Sequence, residues 1–180
     1  MRSIVNFDYL QLSQKATSLH KTQYLAGNTE VTHFVPGYIE GLGGLTLPPR
    51  FHLSKESLSQ HLGIPLYKKI CTVFIYESTI PEILPLLEMH SDWHFLICGY
   101  IGDSLEKYSH IQCIPFIPMI VFGEMVQHAD ANIIRGEHSF AMALQSKKPF
   151  LWDIYKESNG AHIEKIREAE ENLGKKIECT

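Results

Sequence analysis

The segment Arg135-Gly136-Glu137-His138-Ser139 has the residue types of an anion-binding turn. It joins a predicted strand to a predicted helix, and the first turn of a helix carries unpaired N–H groups and a partial positive charge. Arg135 adds a cation that can grip phosphate oxygens with paired hydrogen bonds. Gly136 permits a tight turn, and Ser139 could cap the helix or donate its hydroxyl to a phosphate. A structural turn with a Ser or His cap and a surface Arg–Glu pair explains the same residues, so both interpretations stay open.

Three aromatic residues lie at or just after the carboxyl ends of predicted strands and could offer their rings to a nucleotide base: Phe74, Tyr76 and Phe116. Packing in the core is the commoner fate of such residues in buried strands. Phe116 is the hardest of the three to assign to the core, because prolines on both sides hold it in a loop. Glu137 could be a catalytic carboxylate, or an acid that only favours the start of a helix.

The elements that must position these residues alternate along the chain. Apolar runs rich in β-branched and aromatic residues predict strands at Ile70–Tyr76, His94–Tyr100, Ile111–Ile114, Asn132–Ile134 and Phe150–Tyr155. Helices are predicted at Lys55–His61, from Thr79 to Met89, and at Val121–His128, Ser139–Gln145 and His162–Leu173. This order predicts an α/β fold: a Rossmann-like parallel sheet with helices on both faces. Ligands of such sheets bind at the carboxyl ends of the strands, which is where the candidate residues fall.

Composition excludes several classes of protein. The chain has 180 residues, 44% hydrophobic and 20% charged, which is ordinary for a globular domain with or without an arm. A net charge of -4 gives no support for a nucleic-acid or anionic-membrane surface, so we expect neither partner. No apolar run is long enough to span a bilayer, and the first residues lack the pattern of a signal peptide.

Cysteine and histidine spacing predicts a cytoplasmic protein without a metal site. The four cysteines show no CxxC pair, and three lie in apolar runs, so we expect reduced, buried thiols. Among the ten histidines the closest pair, His90 and His94, straddles a predicted helix-to-strand transition, and there is no HExxH.

Longer segments match the pattern of a known family. PFIPM and HADANIIRGEHSFAMALQSKKPFLWDIY correspond to a PFxPQ segment, a Cys- or Ala-Asp-x-Asn strand, an RGEDS loop and a P-F-x-W-x-I-Y strand. HFVPGYIEGLGGL, VFIYE and NFDYL correspond to FFPGFTxxTGGL, LFCYE and NLEYL. In these segments, which follow one order over nearly the whole chain, the protein resembles the bacterial protein-arginine rhamnosyltransferases that modify translation elongation factor P.

The resemblance implies a two-domain glycosyltransferase fold of the GT-B type, of which this chain would be the C-terminal, nucleotide-sugar-binding half. It implies dTDP-β-L-rhamnose as the donor, no metal cofactor, inversion at the sugar, and elongation factor P as the acceptor partner. Of the matched positions, Phe74, Tyr76, Phe116 and Met119 would line the thymidine pocket, and Arg135, Gly136, His138 and Ser139 would hold the diphosphate. Glu137 would match the glutamate implicated in catalysis.

Three departures from the family pattern stand out. The family's general base is an aspartate of an N-terminal domain that these residues do not include. Met119 and His138 replace the family's Gln and Asp, and the segment between Cys98 and Ile111 is shorter. We assign residues 1–30 to a remnant of that domain or an interdomain arm, and residues 31–180 to the donor-binding domain. The expected protein is inactive alone: it is a donor half that needs a separately encoded N-terminal half, a non-catalytic nucleotide-sugar-binding module, or a truncated remnant.

Overall fold

The structure is a computed structural model that describes residues 2–7, 19–24, 29–34, 53–99 and 105–180. The chain divides into two compact units, residues 1–46 with 156–177, and residues 47–155 with 178–180. The predicted boundary at residue 30 does not coincide with this grouping, which joins residues 156–177 to the first unit. The assignment of residues 1–30 to a remnant or arm and of residues 31–180 to a donor-binding domain stays a prediction. The segment from Pro36 to Pro49, whose prolines and glycines are typical of a loop, lies outside the described residues.

The elements of the described residues run in the order β1 (Arg2–Phe7), β2 (Leu19–Tyr24), β3 (Thr29–Phe34), α1 (Lys55–Leu62), β4 (Lys69–Val73), α2 (Ile80–Met89), β5 (Trp93–Cys98), β6 (Ile111–Ile114), α3 (Met119–His128), β7 (Ala131–Arg135), α4 (Gly136–Ser146), β8 (Phe150–Asp153) and α5 (Ala161–Leu173). A single turn of 3-10 helix (Glu77–Thr79) precedes α2.

In the first unit, β3 pairs parallel with β1 and antiparallel with β2. Sequence analysis predicted no strands there, although alternating β-branched residues in TEVTHF were a signal for one. Helix α5 also belongs to this unit and ends before Gly174, which has a left-handed φ of 63°. Within this helix Ala169 is buried, whereas Ile163 is 65% exposed.

The second unit is a five-stranded sheet in the order β6-β5-β4-β7-β8, and every neighbouring pair is parallel. Successive side chains of its strands point to opposite faces. On one face Ile70 and Leu96 pack with α1 and α3, and on the other Val73 and Ile97 pack with α2. The predicted α/β fold, a parallel sheet covered by helices on both sides, is therefore confirmed.

Several element ends differ from the prediction for identifiable reasons. Strand β4 stops at Val73, three residues early, because the Tyr76 N–H donates to the Asp153 carboxylate instead of to a neighbouring strand. Strand β5 stops before Gly99, whose φ of 77° ends the extended backbone. Helix α4 begins at Gly136 and not at Ser139.

The cysteines are all free thiols, but only two are buried. Burial raises the pKa of Cys71 and of Cys98 to about 12. Cys113 is half-buried and Cys179 is exposed, so the prediction of burial was wrong for both. His90 and His94 do lie across the α2–β5 transition, and His94 Nε2 is 3.0 Å from Gln112 Oε1.

Metal-binding clusters and membrane-spanning helices are both absent from the described ranges. No group of three or more His, Cys, Asp or Glu side chains there is arranged to hold a metal ion. No helix in the same residues has the length and apolar character to cross a membrane.

Thiol reactivity should follow this burial. Because the thiolate is the reacting form, Ellman's reagent at pH 8 should modify Cys179 in the native protein, and Cys71 and Cys98 only after unfolding. The absorbance trace checks this, and Cys179→Ser should remove the fast phase. Fast native labelling of Cys98 would contradict its burial.

The packing of α2 predicts a stability difference between two residues of one helix. Leu87 is 0% exposed, so Leu87→Ala should lower the free energy of unfolding by about 2–5 kcal/mol. Met89 is 75% exposed, and Met89→Ala should change it by less than about 0.5 kcal/mol. Urea unfolding followed by tryptophan fluorescence reports this unit, because Trp93 and Trp152 both lie in it. Equal losses of unfolding free energy in the two variants would mean that α2 does not pack as described.

Candidate functional site

The candidate residues lie where the strand order of the sheet reverses. The chain lays down β4, β5 and β6 in one direction, and then returns to place β7 on the other side of β4. In such a sheet, the connections that follow the two strands at the reversal, here β4 and β7, run to opposite faces. A crevice therefore opens outside the carboxyl ends of these two strands. Phe74 and Tyr76 follow β4, and Arg135 is the last residue of β7. The sequence prediction thus pointed to this edge of the sheet.

Arg135 is stacked on two aromatic rings at the reversal. Its Cζ lies 4.4 Å from the ring centroid of Phe74 and 4.8 Å from that of Tyr76. At these distances the guanidinium is attracted by the electron-rich ring faces. The Phe74 ring packs in turn on Phe122, at a centroid distance of 5.1 Å, and Tyr76 meets the Tyr155 ring at 5.8 Å. The packed aromatic rings therefore hold the cation in place.

The start of α4 lies directly beside this cation. Arg135 is the N-cap residue, in extended conformation, and its own side chain makes no capping hydrogen bond to the helix. Gly136 has a φ of 64°, a left-handed conformation that favours glycine, and a Cβ there would meet no described atom within 4 Å. The predicted Ser139 cap is wrong, since Ser139 is buried one turn further along, and His138 is exposed. The backbone N–H groups at the start of a helix, next to an arginine, are suited to bind an anion.

A cavity of about 300 Å³ opens at the same edge. Its lining combines apolar residues that follow β4, end β5 or begin α2 with one acid and one base: Ile75, Glu77, Ile80, Ile97, Cys98, Gly99 and Arg135. This volume is at the lower end for a small-molecule site. Glu77, the last residue of the VFIYE segment, was given no role from the sequence, although an acid directly after a buried strand was the available signal.

Phe116 and Met119 form a second group at the carboxyl end of β6. A Cβ on Gly99 would lie 3.4 Å from Phe116 Cε1, so this ring rests against the Gly99 backbone at the rim of the cavity. Phe116 is 77% exposed, and Met119, the first residue of α3, is 53% exposed. Strand β6 is two positions from β4, which corresponds to roughly 10 Å. The structure thus joins Arg135 to Phe74 and Tyr76, and places Phe116 and Met119 beside β5 and β6.

Asp153 positions the turn after β4 and was missed in the sequence. Its buried carboxylate accepts hydrogen bonds from the Tyr76 N–H at 2.8 Å, the Thr79 hydroxyl at 3.1 Å and the Thr180 hydroxyl at 3.0 Å. A charged residue at the end of a predicted buried strand was the available signal, because buried charges must be hydrogen-bonded. The carboxylate fixes Tyr76, and with it one of the rings under Arg135.

Removal of the Asp153 carboxylate should loosen this turn. We expect Asp153→Ala to speed amide exchange at Tyr76 and to cost roughly 3 kcal/mol of unfolding free energy, since buried donors lose a charged acceptor. Asp153→Asn should be milder, because its amide oxygen can accept from Tyr76 and both hydroxyls can accept from its NH₂. As a matched control, Asp130→Ala removes the acceptor of the Ile70 N–H at the opposite end of β4, and should speed exchange at Ile70 alone. An unchanged amide exchange rate at Tyr76 in Asp153→Ala would contradict the role of Asp153 in fixing this turn.

Comparison with known proteins gives relatives of one kind. A protein-arginine rhamnosyltransferase of Shewanella oneidensis is 34% identical over 201 residues, which cover 90% of this chain and 51% of the relative. Another, of Pseudomonas aeruginosa, is 24% identical over 195 residues, covering 90% and 52%. The chain therefore spans about half the length of these relatives.

A solved structure described as "Structural basis for EarP-mediated arginine glycosylation of translation elongation factor EF-P" shares the fold. It matches with a TM-score of 0.53 at 23% identity, over 73% of this chain and 53% of that one. The family model "Elongation-Factor P (EF-P) rhamnosyltransferase EarP" matches residues 2–179, and the chain belongs to that family.

Proposed function

We propose that the second unit binds dTDP-β-L-rhamnose as the donor-binding, C-terminal half of a GT-B glycosyltransferase that rhamnosylates an arginine of elongation factor P. The observation that carries this proposal is Arg135 at the start of α4, where the strand order of the sheet reverses. Family membership supplies the substrates, and the geometry supplies a place for a diphosphate.

In the proposed reaction, the diphosphate is the leaving group. As its bond to the sugar breaks, negative charge collects on the phosphate oxygens and the sugar becomes oxocarbenium-like. Once the donor is bound, Arg135 and the N–H groups of α4 lie against its phosphates, so they can neutralise that charge without a metal ion. Gly136 leaves the approach to these N–H groups open.

The other site residues take roles around this anion site. Glu137 is half-buried in the first turn of α4, where a carboxylate can stabilise positive charge on a departing sugar. The exposed ring of Phe116, with Phe74 and Tyr76, offers faces to the thymine base. Met119, His138 and Ser139 complete the proposed contacts to base and diphosphate.

Complete transfer, in this proposal, needs residues beyond the stretch that matches. The relatives are about twice as long as the portion covered here, and the family's general base belongs to the other half. We therefore expect this chain to bind the donor but not to transfer rhamnose unaided, and to act with an N-terminal half on elongation factor P. Two buried free thiols favour a cytoplasmic location.

A second candidate is a nucleotide-sugar-binding module, or remnant, without catalytic activity. Met119 favours it, because a thioether is at best a weak acceptor where the family pattern has an amide. His138, exposed at the start of α4, replaces an acid of that pattern. The two candidates differ in turnover when the complementary half is supplied.

Donor binding can be tested by calorimetric titration with dTDP, with UDP as the competing nucleotide. We expect saturable dTDP binding that Arg135→Ala weakens at least about tenfold, the loss of a charged hydrogen bond. Lys148→Ala is the matched control, since it removes an exposed cation just beyond the opposite end of α4, and it should leave affinity unchanged. A folded sample that binds no dTDP would refute the proposal.

Turnover separates the two candidates. The chain mixed with a complementary N-terminal half, dTDP-β-L-rhamnose and elongation factor P should yield rhamnosylated arginine, detected by intact mass. Glu137→Gln should abolish the product while dTDP still binds. Donor binding without product in the complete mixture would favour the non-catalytic module.

A further inference from the structure

We propose that Arg135 covers the aromatic faces of Phe74 and Tyr76 until an anion draws it away, so that the site accepts a nucleoside only together with its phosphates. This makes Arg135 a specificity-determining residue in addition to a phosphate ligand. The inference rests on the proposed function, because it assumes that a nucleotide is the ligand.

The guanidinium occupies the space that a stacked base would need. Its Cζ is 4.4 Å from the Phe74 centroid and 4.8 Å from the Tyr76 centroid. Stacked aromatic rings sit at centroid distances of about 4.5–7 Å, so a base and the guanidinium cannot share these faces. A nucleoside that reaches Phe74 or Tyr76 must displace Arg135.

Core packing restricts the rings themselves. Phe74 packs on Phe122 and lies against the buried cluster under α3. Tyr76 is held by its backbone hydrogen bond to Asp153 and by its edge contact with Tyr155. Because the rings are fixed from behind, the faces towards Arg135 are the ones that a ligand can use, and the arginine is the part that moves.

An anion at the start of α4 supplies a stronger partner for the arginine. Charge-assisted, paired hydrogen bonds from a guanidinium to phosphate are stronger than its attraction to an aromatic face in a half-exposed setting. Arg135 is half-buried and lines the cavity of about 300 Å³, which gives the side chain room to turn away from the rings. Glu77 lines the same cavity and offers an opposite charge to a displaced guanidinium.

Because the anion and the aromatic rings compete for Arg135, binding of the base and binding of the phosphates are coupled. An anion that removes Arg135 from the rings must raise the affinity for the base, and by linkage the base raises the affinity for the anion to the same degree. Loss of the guanidinium should therefore have opposite effects: weaker binding of dTDP and tighter binding of thymidine.

The test titrates thymidine into the protein with and without saturating inorganic pyrophosphate. We expect pyrophosphate to raise thymidine affinity about fivefold or more, the factor that corresponds to one exposed cation–π contact. In Arg135→Ala, thymidine alone should bind about fivefold tighter than to the native protein, and pyrophosphate should no longer change it. Arg135→Lys, which keeps the charge but loses the planar stack, should also bind thymidine more tightly while retaining part of the dTDP affinity.

Lys69→Ala is the matched control. Lys69 Nζ lies 5.2 Å from the Trp93 ring centroid at the opposite end of β4, so this variant also removes a cation stacked on an aromatic ring. Its thymidine affinity and its response to pyrophosphate should equal those of the native protein. A thermal melt of each variant confirms that it is folded.

The outcomes separate the inference from the proposed function. If the native protein binds dTDP but Arg135→Ala binds thymidine no more tightly than the native protein, the inference is overturned and the proposed function stands. Thymidine affinity that is independent of pyrophosphate in the native protein also overturns it. A folded native protein that binds no dTDP overturns both.

Discussion

Strand β4 is the central strand of a five-stranded parallel sheet with the order β6-β5-β4-β7-β8. Because β6 and β7 lie on opposite sides of β4, the chain crosses the sheet once, between these two strands. That crossing decides where chemistry can occur. It sends the connections after β4 and β7 to different faces and leaves the carboxyl ends of these two strands side by side. The aromatic residues after β4 and the arginine that ends β7 meet there because the strand order requires it. The anion site, the cavity and the stacked arginine all depend on this one feature of topology.

The crevice would be poorly defined without a second constraint, the buried carboxylate of Asp153. A buried charge is unfavourable unless it is hydrogen-bonded, and here three donors satisfy it. Two of them belong to the turn after β4, at Tyr76 and Thr79, and the third is Thr180. The same hydrogen bonds that offset burial of the charge therefore fix the turn that carries Tyr76. The Asp153 carboxylate therefore both stabilises the end of β8 and fixes the position of the Tyr76 ring in the site.

The parallel sheet could be predicted from sequence because most residues of its strands are apolar, which is a local property. The ends of the strands could not, because the end of β4 is set by a hydrogen bond from Tyr76 to Asp153, which is distant in the chain. The anion-binding turn at Arg135 and Gly136 was predicted from residue type alone. Its contact with Phe74 and Tyr76 was not, since sequence placed each residue at a strand end without showing which ends are neighbours. The strands β1 to β3 were missed because short polar strands resemble loops in composition.

The two substituted positions of the family pattern, Met119 and His138, lie away from the residues that hold the site together. Met119 is 53% exposed at the first position of α3, and His138 is exposed in the first turn of α4. Neither supports the sheet, the turn at Asp153 or the stack around Arg135. Changes at these two positions therefore alter what a ligand would touch without altering the fold that presents it. A stable fold in this chain is consequently no argument for an unchanged donor preference, because stability and recognition depend here on different side chains.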